Sequence, residues 1–290
     1  MEKKKVYFTS DIFSESLLKI YQALDKDLPG PIAVKVHSGE AGNQNFLRPI
    51  FYKDLMEYTN GTVVECNTAY DGQRNTSEKH LKLLDNHEWT KYYKVDLLDE
   101  KGEMSLDINY GKYLTKNYVG ENLKNYESLL VVSHFKGHPM GGYDGALKNI
   151  SIGLASSYGK AVIHGAGEPK KIWTADHDSF LTSMAEAAKS IVDYKKDKIL
   201  FINVMTNMSV DCDCCAKASD PCMQDIGILA SDDPVALDQA CIDLVYNATD
   251  PGKETLIERI ESRNGLLTIK EAEKLGIGTT NYEFINIDNE

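Results

Sequence analysis

Residues 128–134, SLLVVSH, form an almost wholly apolar run. A strand of that composition is buried on both faces, and such a sheet needs helices on each side of it. The rest of the chain has the pattern to supply them. Strand patterns at KKVYFTS (4–10), PIAVKVH (31–37), GTVVECN (61–67) and KILFINVM (198–205) alternate with helical ones. In SESLLKIYQAL (14–24), Leu17, Ile20, Tyr21 and Leu24 share a face, with Ser14 as N-cap. Helices are also expected at 46–59, 145–156 and 179–194, the last with Met184, Ala187, Ala188 and Ile191 at helical spacing. At 233–248, Asp233 stands at N-cap and Pro234 at N1, ahead of a stripe of Leu237, Ala240, Cys241, Leu244 and Val245. TIKE (268–271) reads as a capping box whose helix stops at Gly276.

The fold class is therefore α/β: a mainly parallel sheet with helices on both faces. No repeat or low-complexity linker divides the chain, so residues 1–290 read as one domain, with a two-lobe division left open. The least regular stretch, about 68–125, is expected to be a peripheral excursion.

Charge narrows the partners. The formal net charge is −12 and the pI about 5.1, a surface that repels nucleic acid and anionic membrane. No apolar run is long enough to span a bilayer, and MEKKKVYFTSDIF has no apolar signal core. The expectation is a cytoplasmic protein whose thiols stay reduced.

Four of the six cysteines fall in CDCCAKASDPC, residues 212–222. In an extended chain Cys212 and Cys214 share one face and Asp211 and Asp213 the other. A turn there lets both sulfurs hold one ion, and Cys215 and Cys222 could complete a thiolate set for zinc or an iron–sulfur cluster. Neighbouring carboxylates raise thiol pKa values, which argues for ligands rather than a free nucleophile. Cys66 and Cys241 read as small core residues.

SHFKGHPMGGYDGALKN (133–149) leaves the central strand and enters a helix. Loops at the carboxyl ends of parallel strands are where open α/β sheets bind ligands. This one carries Lys136, Lys148 and His138 as catalytic candidates and His134 as a metal-ligand candidate. Gly141, Gly142 and Asn149 are candidates for cofactor or anion contact. The loop has neither Walker A nor G-x-G-x-x-G spacing. KVHSGEAGNQNFLRP (35–49) adds Lys35 and His37 at another strand end as further cofactor-contact candidates, with Glu40, Asn43 and Arg48 behind them as substrate contacts or solvated groups. His164 also ends a strand-like run; His80, His87 and His177 read as surface residues, and Asp232 as freer to act than Asp233.

SHFKGHPMGGYDGALKNISIGLASSYGK, the CDC triplet with DIGILASDDPVALDQACIDLV, and the ending KLGIGTTNYEFINID together resemble the domain of unknown function 362, over Val34 to Ile287. Members of that family are often labelled iron–sulfur centre proteins, and the core has no settled reaction to transfer. Typical members carry a ferredoxin-like insert with two C-x-x-C-x-x-C-x-x-x-C-P runs, expected here near Pro169–Trp173. HGAGEPKKIWTADHDSFLTSMAEAA contains no cysteine, so the insert is missing. The family-like positions that remain are His134, Lys136, His138, Gly142, Lys148, Asn149, Cys212, Asp213 and Cys214.

Besides an enzyme without metal, whose Gly-rich loop and lysines bind a phosphorylated or carboxylated ligand while its thiols do redox chemistry, two readings follow. In the first, a metal ion or iron–sulfur cluster, zinc or iron, sits at the carboxyl edge of an enzyme core that takes a small anionic ligand, with a redox partner or a second copy of the chain as further partners. In the second, thiolates hold a structural zinc in a non-catalytic scaffold.

Overall fold

The computed structural model describes residues 3–289. Twelve strands are present in that range: β1 Lys4–Thr9, β2 Ile32–Lys35, β3 Thr62–Glu65, β4 Val95–Leu97, β5 Glu103–Asp107, β6 Lys116–Gly120, β7 Ser128–His134, β8 Lys136–His138, β9 Gly142–Asp144, β10 Ile199–Met205, β11 Gly227–Ser231 and β12 Tyr282–Asn286. Eight of them make one sheet in the order β12-β1-β11-β10-β7-β2-β3-β4. Pairing is parallel throughout, except that β11 runs against both β1 and β10. Seven strands thus point one way. β5–β6 and β8–β9 are separate antiparallel hairpins.

Strand alternation divides the core. In β7, Leu129 and Val131 face one layer with Leu147, Ala188 and Leu237. Leu130 and Val132 face the other, with Leu17, Ile20 and Leu55. Each such side chain contributes roughly 1.5–3 kcal/mol on burial. The first layer comes mainly from helices Ala146–Ser151, His177–Lys195 and Pro234–Asn247, the second from Ser14–Ala23 and Lys53–Thr59.

Asp233 caps its helix as expected, accepting from the Val235 and Ala236 amides at 2.9 and 3.0 Å. Other sequence expectations are corrected. Ser14 is no cap: the residue before the helix is Phe13, and Ser14 Oγ accepts from the Asp54 amide at 3.0 Å. The pattern at 46–59 splits into a 3₁₀ turn, Pro49–Tyr52, and a helix, Lys53–Thr59, because Pro49 pins the start. TIKE opens nothing: Thr268 lies buried inside helix Leu266–Lys274. GILAS, to which the sequence pattern assigned no element, is strand β11. Residues 68–125 are not peripheral. They supply edge strand β4, and Leu98, Val119 and Leu123 enter the core. The hairpin β5–β6 contacts helix His177–Lys195. No helix among the described residues is long and apolar enough to cross a membrane.

Candidate functional site

From β2 the chain builds outward to β3 and β4, and from β7 it builds the other way to β10. The strand order reverses between β2 and β7, where an open sheet of this kind leaves a crevice at its carboxyl edge. Lys35, Glu65 and His134 are the last residues of β2, β3 and β7. A cavity of about 510 Å³ lies there, and all three line it.

The sulfurs reach this edge through backbone packing. Hairpin β8–β9 continues from β7, and the loop after β10 lies against it: the Gly137 amide donates to Ser209 O at 2.8 Å. A Cβ on Gly137 would stand 2.5 Å from Val210 O, so only glycine permits this approach. From the other side Asn43 Nδ2 donates to Cys215 O at 2.9 Å and Gln44 Nε2 to Ala218 O at 2.9 Å. The three polar loops at 35–49, 133–149 and 208–222 therefore meet.

Cys212 Sγ donates to Asp144 Oδ2 at 3.2 Å and lies 4.0 Å from His37 Nε2. Cys214 Sγ lies 3.9 Å from His138 Nε2. Donor atoms of His138, Cys212 and Cys214 all lie within 4.8 Å of one another. His138 Nδ1 accepts from the Met140 and Gly141 amides at 3.1 and 2.8 Å, so in its neutral form the ring carries its proton on Nε2, toward Cys214.

Behind the thiols runs a buried charge network. Lys136 Nζ contacts Asp213 Oδ2 at 2.9 Å, Asp144 Oδ2 at 3.3 Å and His134 O at 2.9 Å. Lys148 Nζ reaches Asp144 Oδ2 at 3.0 Å. Lys35 pairs with Glu65 at 2.8 Å, and Arg74 with Glu40 at 3.1 Å. Burial opposes ionisation of Asp144, but Lys136 and Lys148 hold its carboxyl well below the usual range. Asp213 is held down likewise, with His134 and Lys136 overcoming burial. Burial opposes the Lys136 charge too, and Asp144 and Asp213 push its pKa above the ordinary value. Burial, then Lys148, pushes His138 well down, so its imidazole is neutral. Burial raises the Cys212 thiol. A hydrogen bond from Cys212 lowers Cys214, but its contact with Cys215 and burial bring it to about 12.

Several expected site residues stand elsewhere. His134 Nδ1 faces Asp213 at 2.9 Å and Nε2 faces Thr206 O at 2.6 Å, so both ring nitrogens are taken and His138 is the imidazole beside the sulfurs. Lys136 has three acceptors and acts as a buried cross-link. Cys222 donates to Met208 O at 3.2 Å, outside the cluster, because its own segment turns back onto the chain after β10. Cys215 follows Cys214 and is partly buried; its thiol is lowered by hydrogen bonding to Cys214. Gly142 has φ +80°, and a Cβ there would lie 2.8 Å from Gly265 Cα, so Gly142 serves chain packing; neither it nor Gly141 lines the cavity. Asn149 lines it and donates to Ser133 Oγ at 3.0 Å. His80 is fully buried, His87 is half-buried against Ser38 O, and His164 ends a helix, Ser157–His164, not a strand. Asp232 pairs with Lys4 on the surface.

Sequence reading passed over Asp144, Glu65, Arg74, Tyr70, Lys160 and Trp173, all of which line the cavity. Glu65 had a visible signal: a charge closing an apolar strand, VVE, as Lys35 closes AVK.

These features define a class: a doubly wound α/β protein with a thiol–imidazole–carboxylate cluster at its topological switch point. Within that class the chain belongs to the family described as Domain of unknown function (DUF362), whose family model matches residues 32–243. No curated protein matches the chain. Among solved structures, the lactate racemase apoprotein from Thermoanaerobacterium thermosaccharolyticum matches at 13% identity and TM-score 0.42, covering 68% of this chain and 50% of that one. A Thermotoga maritima protein matches at 12% identity and TM-score 0.46, covering 90% of this chain and 58% of that one. This chain thus spans half the length of the first and little more than half of the second.

Proposed function

We propose that the protein binds one soft divalent metal ion through Cys212 and Cys214, with His138 beside them, and that a small anionic ligand approaches the ion from the Lys148 side of the cavity. The observation that carries this is the convergence of those three donors within 4.8 Å. The ligands of one tetrahedral zinc lie about 3.5–4 Å apart, as Cys214 Sγ and His138 Nε2 already do at 3.9 Å. Two sulfurs and an imidazole suit zinc or iron(II) better than a hard cation. His138 presents an N–H to Cys214, so it would become a third ligand only if that proton moved to Nδ1 and the Met140 and Gly141 amides released that nitrogen; Cys212 and Cys214 are the primary ligands. Three convergent donors beside a cavity favour an open coordination position, hence chemistry on a ligand, over a closed structural site. An iron–sulfur cluster finds less support, because it is usually held by four cysteines and Cys222 is turned to Met208 O.

Lys148 suits the anion. Its Nζ has one carboxylate partner, Asp144, and further N–H donors beside the cavity. When bound, the ion would supply Lewis acidity at the cavity wall. Lys148 would orient the ligand, and Asp144 would hold both Lys148 and Cys212 in place.

The test is metal analysis of protein purified without oxygen. About one equivalent of zinc or iron is expected, lost in Cys212→Ser and Cys214→Ser variants that keep their circular dichroism. Protein with no stoichiometric metal, whose melting temperature is unmoved by added zinc or iron(II), sinks the proposal.

A further inference from the structure

Five cations line the cavity: Lys35, Arg74, Lys136, Lys148 and Lys160. Four have carboxylate partners. Lys160 has none within ion-pair distance among the described residues, although it is only 8% exposed. Its Nζ donates to Ala155 O at 2.6 Å. An ammonium has three donors, so two positions on this nitrogen remain for the cavity. A buried charge without a counter-charge is costly, and the amine escapes the cost by shedding its proton.

One helical turn on, at i+4, stands His164, also lining the cavity. Its Nδ1 is buried with no hydrogen-bond partner. The ring is stacked on Phe180, with centroids 4.6 Å apart. Burial, then Lys148 and Lys160, pushes its pKa down to about 3, which leaves a neutral imidazole with an open nitrogen. Burial lowers Lys160 as well. Tyr70 and Trp173, with ring centroids 6.2 Å apart, complete this apolar side of the cavity.

We propose that Lys160 and His164 form a carbonyl-capturing pair, and that the ligand of this cavity is an aldehyde or a 2-oxo acid held as an imine on Lys160 Nζ. The idea shares the cavity with the proposed function but needs no ion. The neutral amine adds to the carbonyl carbon: a C–N bond forms and the C=O π pair moves to oxygen. His164 takes one proton from the attacking nitrogen and passes it to the alkoxide, which gives the carbinolamine hydroxyl. It then carries the second N–H proton to that hydroxyl, which leaves as water as the C=N bond forms. Amine and carbonyl become imine and water, with no change of oxidation state. A surface lysine is almost wholly protonated at neutral pH; Lys160, desolvated and unpaired, is the better nucleophile.

Glyoxylate with sodium borohydride tests this on the purified chain, with and without EDTA, read by intact mass and peptide mapping. A single adduct on the Lys160 peptide is expected. It should vanish in Lys160→Met, which keeps the length of an uncharged side chain, and form at least about tenfold more slowly in His164→Gln. Adducts scattered over surface lysines with Lys160 unmodified overturn the proposal, and that mapping needs no variant to fold. Labelling of Lys160 in protein that binds no metal would sink the ion and leave the pair standing. Metal-loaded protein without the label, before and after EDTA, would do the reverse.

Discussion

Cys212 Sγ lies 3.2 Å from Asp144 Oδ2, although the two residues are 68 positions apart. That one oxygen also receives Lys136 Nζ at 3.3 Å and Lys148 Nζ at 3.0 Å. A single carboxylate therefore ties the thiol loop to the β8–β9 hairpin and to helix Ala146–Ser151. The proposed ion site and the proposed anion site share this anchor.

Asp144→Asn should be strongly destabilising. The amide leaves Lys148 with no carboxylate partner and Lys136 with Asp213 alone. Removing one member of a buried charge network costs on the order of 3–5 kcal/mol. Denaturant unfolding measures it; a loss below about 1 kcal/mol would mean that water reaches these groups freely.

Acid should weaken the fold through the same carboxylates. Asp144 and Asp213 have folded-state pKa values below the ordinary 3.8. Their stabilisation is fully present above the unfolded value and drains away as pH falls below it toward the folded values. Unfolding free energy followed downward from neutral pH should drop steeply once pH passes below about 4. In Asp213→Asn that drop should be shallower. An equal slope in both proteins contradicts the assignment.

Metal affinity should rise with pH. Thiols bind metal as thiolates, so each sulfur gives up a proton when the ion enters. Zinc competition against a chromophoric chelator should show affinity increasing about ten- to a hundredfold per pH unit near neutrality. Calorimetry in buffers of different ionisation enthalpy counts the protons released. A pH-independent affinity points to ligands other than Cys212 and Cys214.

Gly137→Ala should detach the sulfurs without touching them. The new methyl meets the Val210 backbone at 2.5–2.7 Å, so the loop after β10 must move away. Zinc affinity is expected to fall by at least about tenfold, the range seen when groups that orient ligands are disturbed. If affinity is unchanged while the melting temperature drops, the loop does not depend on this contact.

Much of the architecture was readable in advance. The apolar runs of β7 and β10 and the Asp233–Pro234 helix start are local signals, and local signals survive into the fold. The carboxyl-edge rule brought the 35–49 loop toward the 133–149 loop, but that the 208–222 loop joins them was not legible in the sequence, because it rests on backbone contacts such as Gly137 N to Ser209 O. What escaped depends on distant partners. Asp144 sits among glycines with nothing local to mark it, and its meaning comes from Lys136, Lys148 and Cys212. His134 and His138 look alike in sequence, and only Thr206 O, Asp213 and the Met140 and Gly141 amides tell them apart. Strand β11 is short, five residues, and the sequence pattern assigned it no element. Lys160 and Trp173 lay in stretches where no motif pointed to a cavity.

The first strand of the sheet waits for the last. Tyr7 pairs with Ala230 of β11 and Val6 with Phe284 of β12, so both neighbours of β1 come from the far end of the chain. During synthesis on a ribosome, β1 has no edge to join until those segments emerge, while β2, β3 and β7 can already assemble. Non-local closure of this kind is slow. The crevice between β2 and β7 can thus take shape before β1 is zipped into an outer seam remote from the cavity.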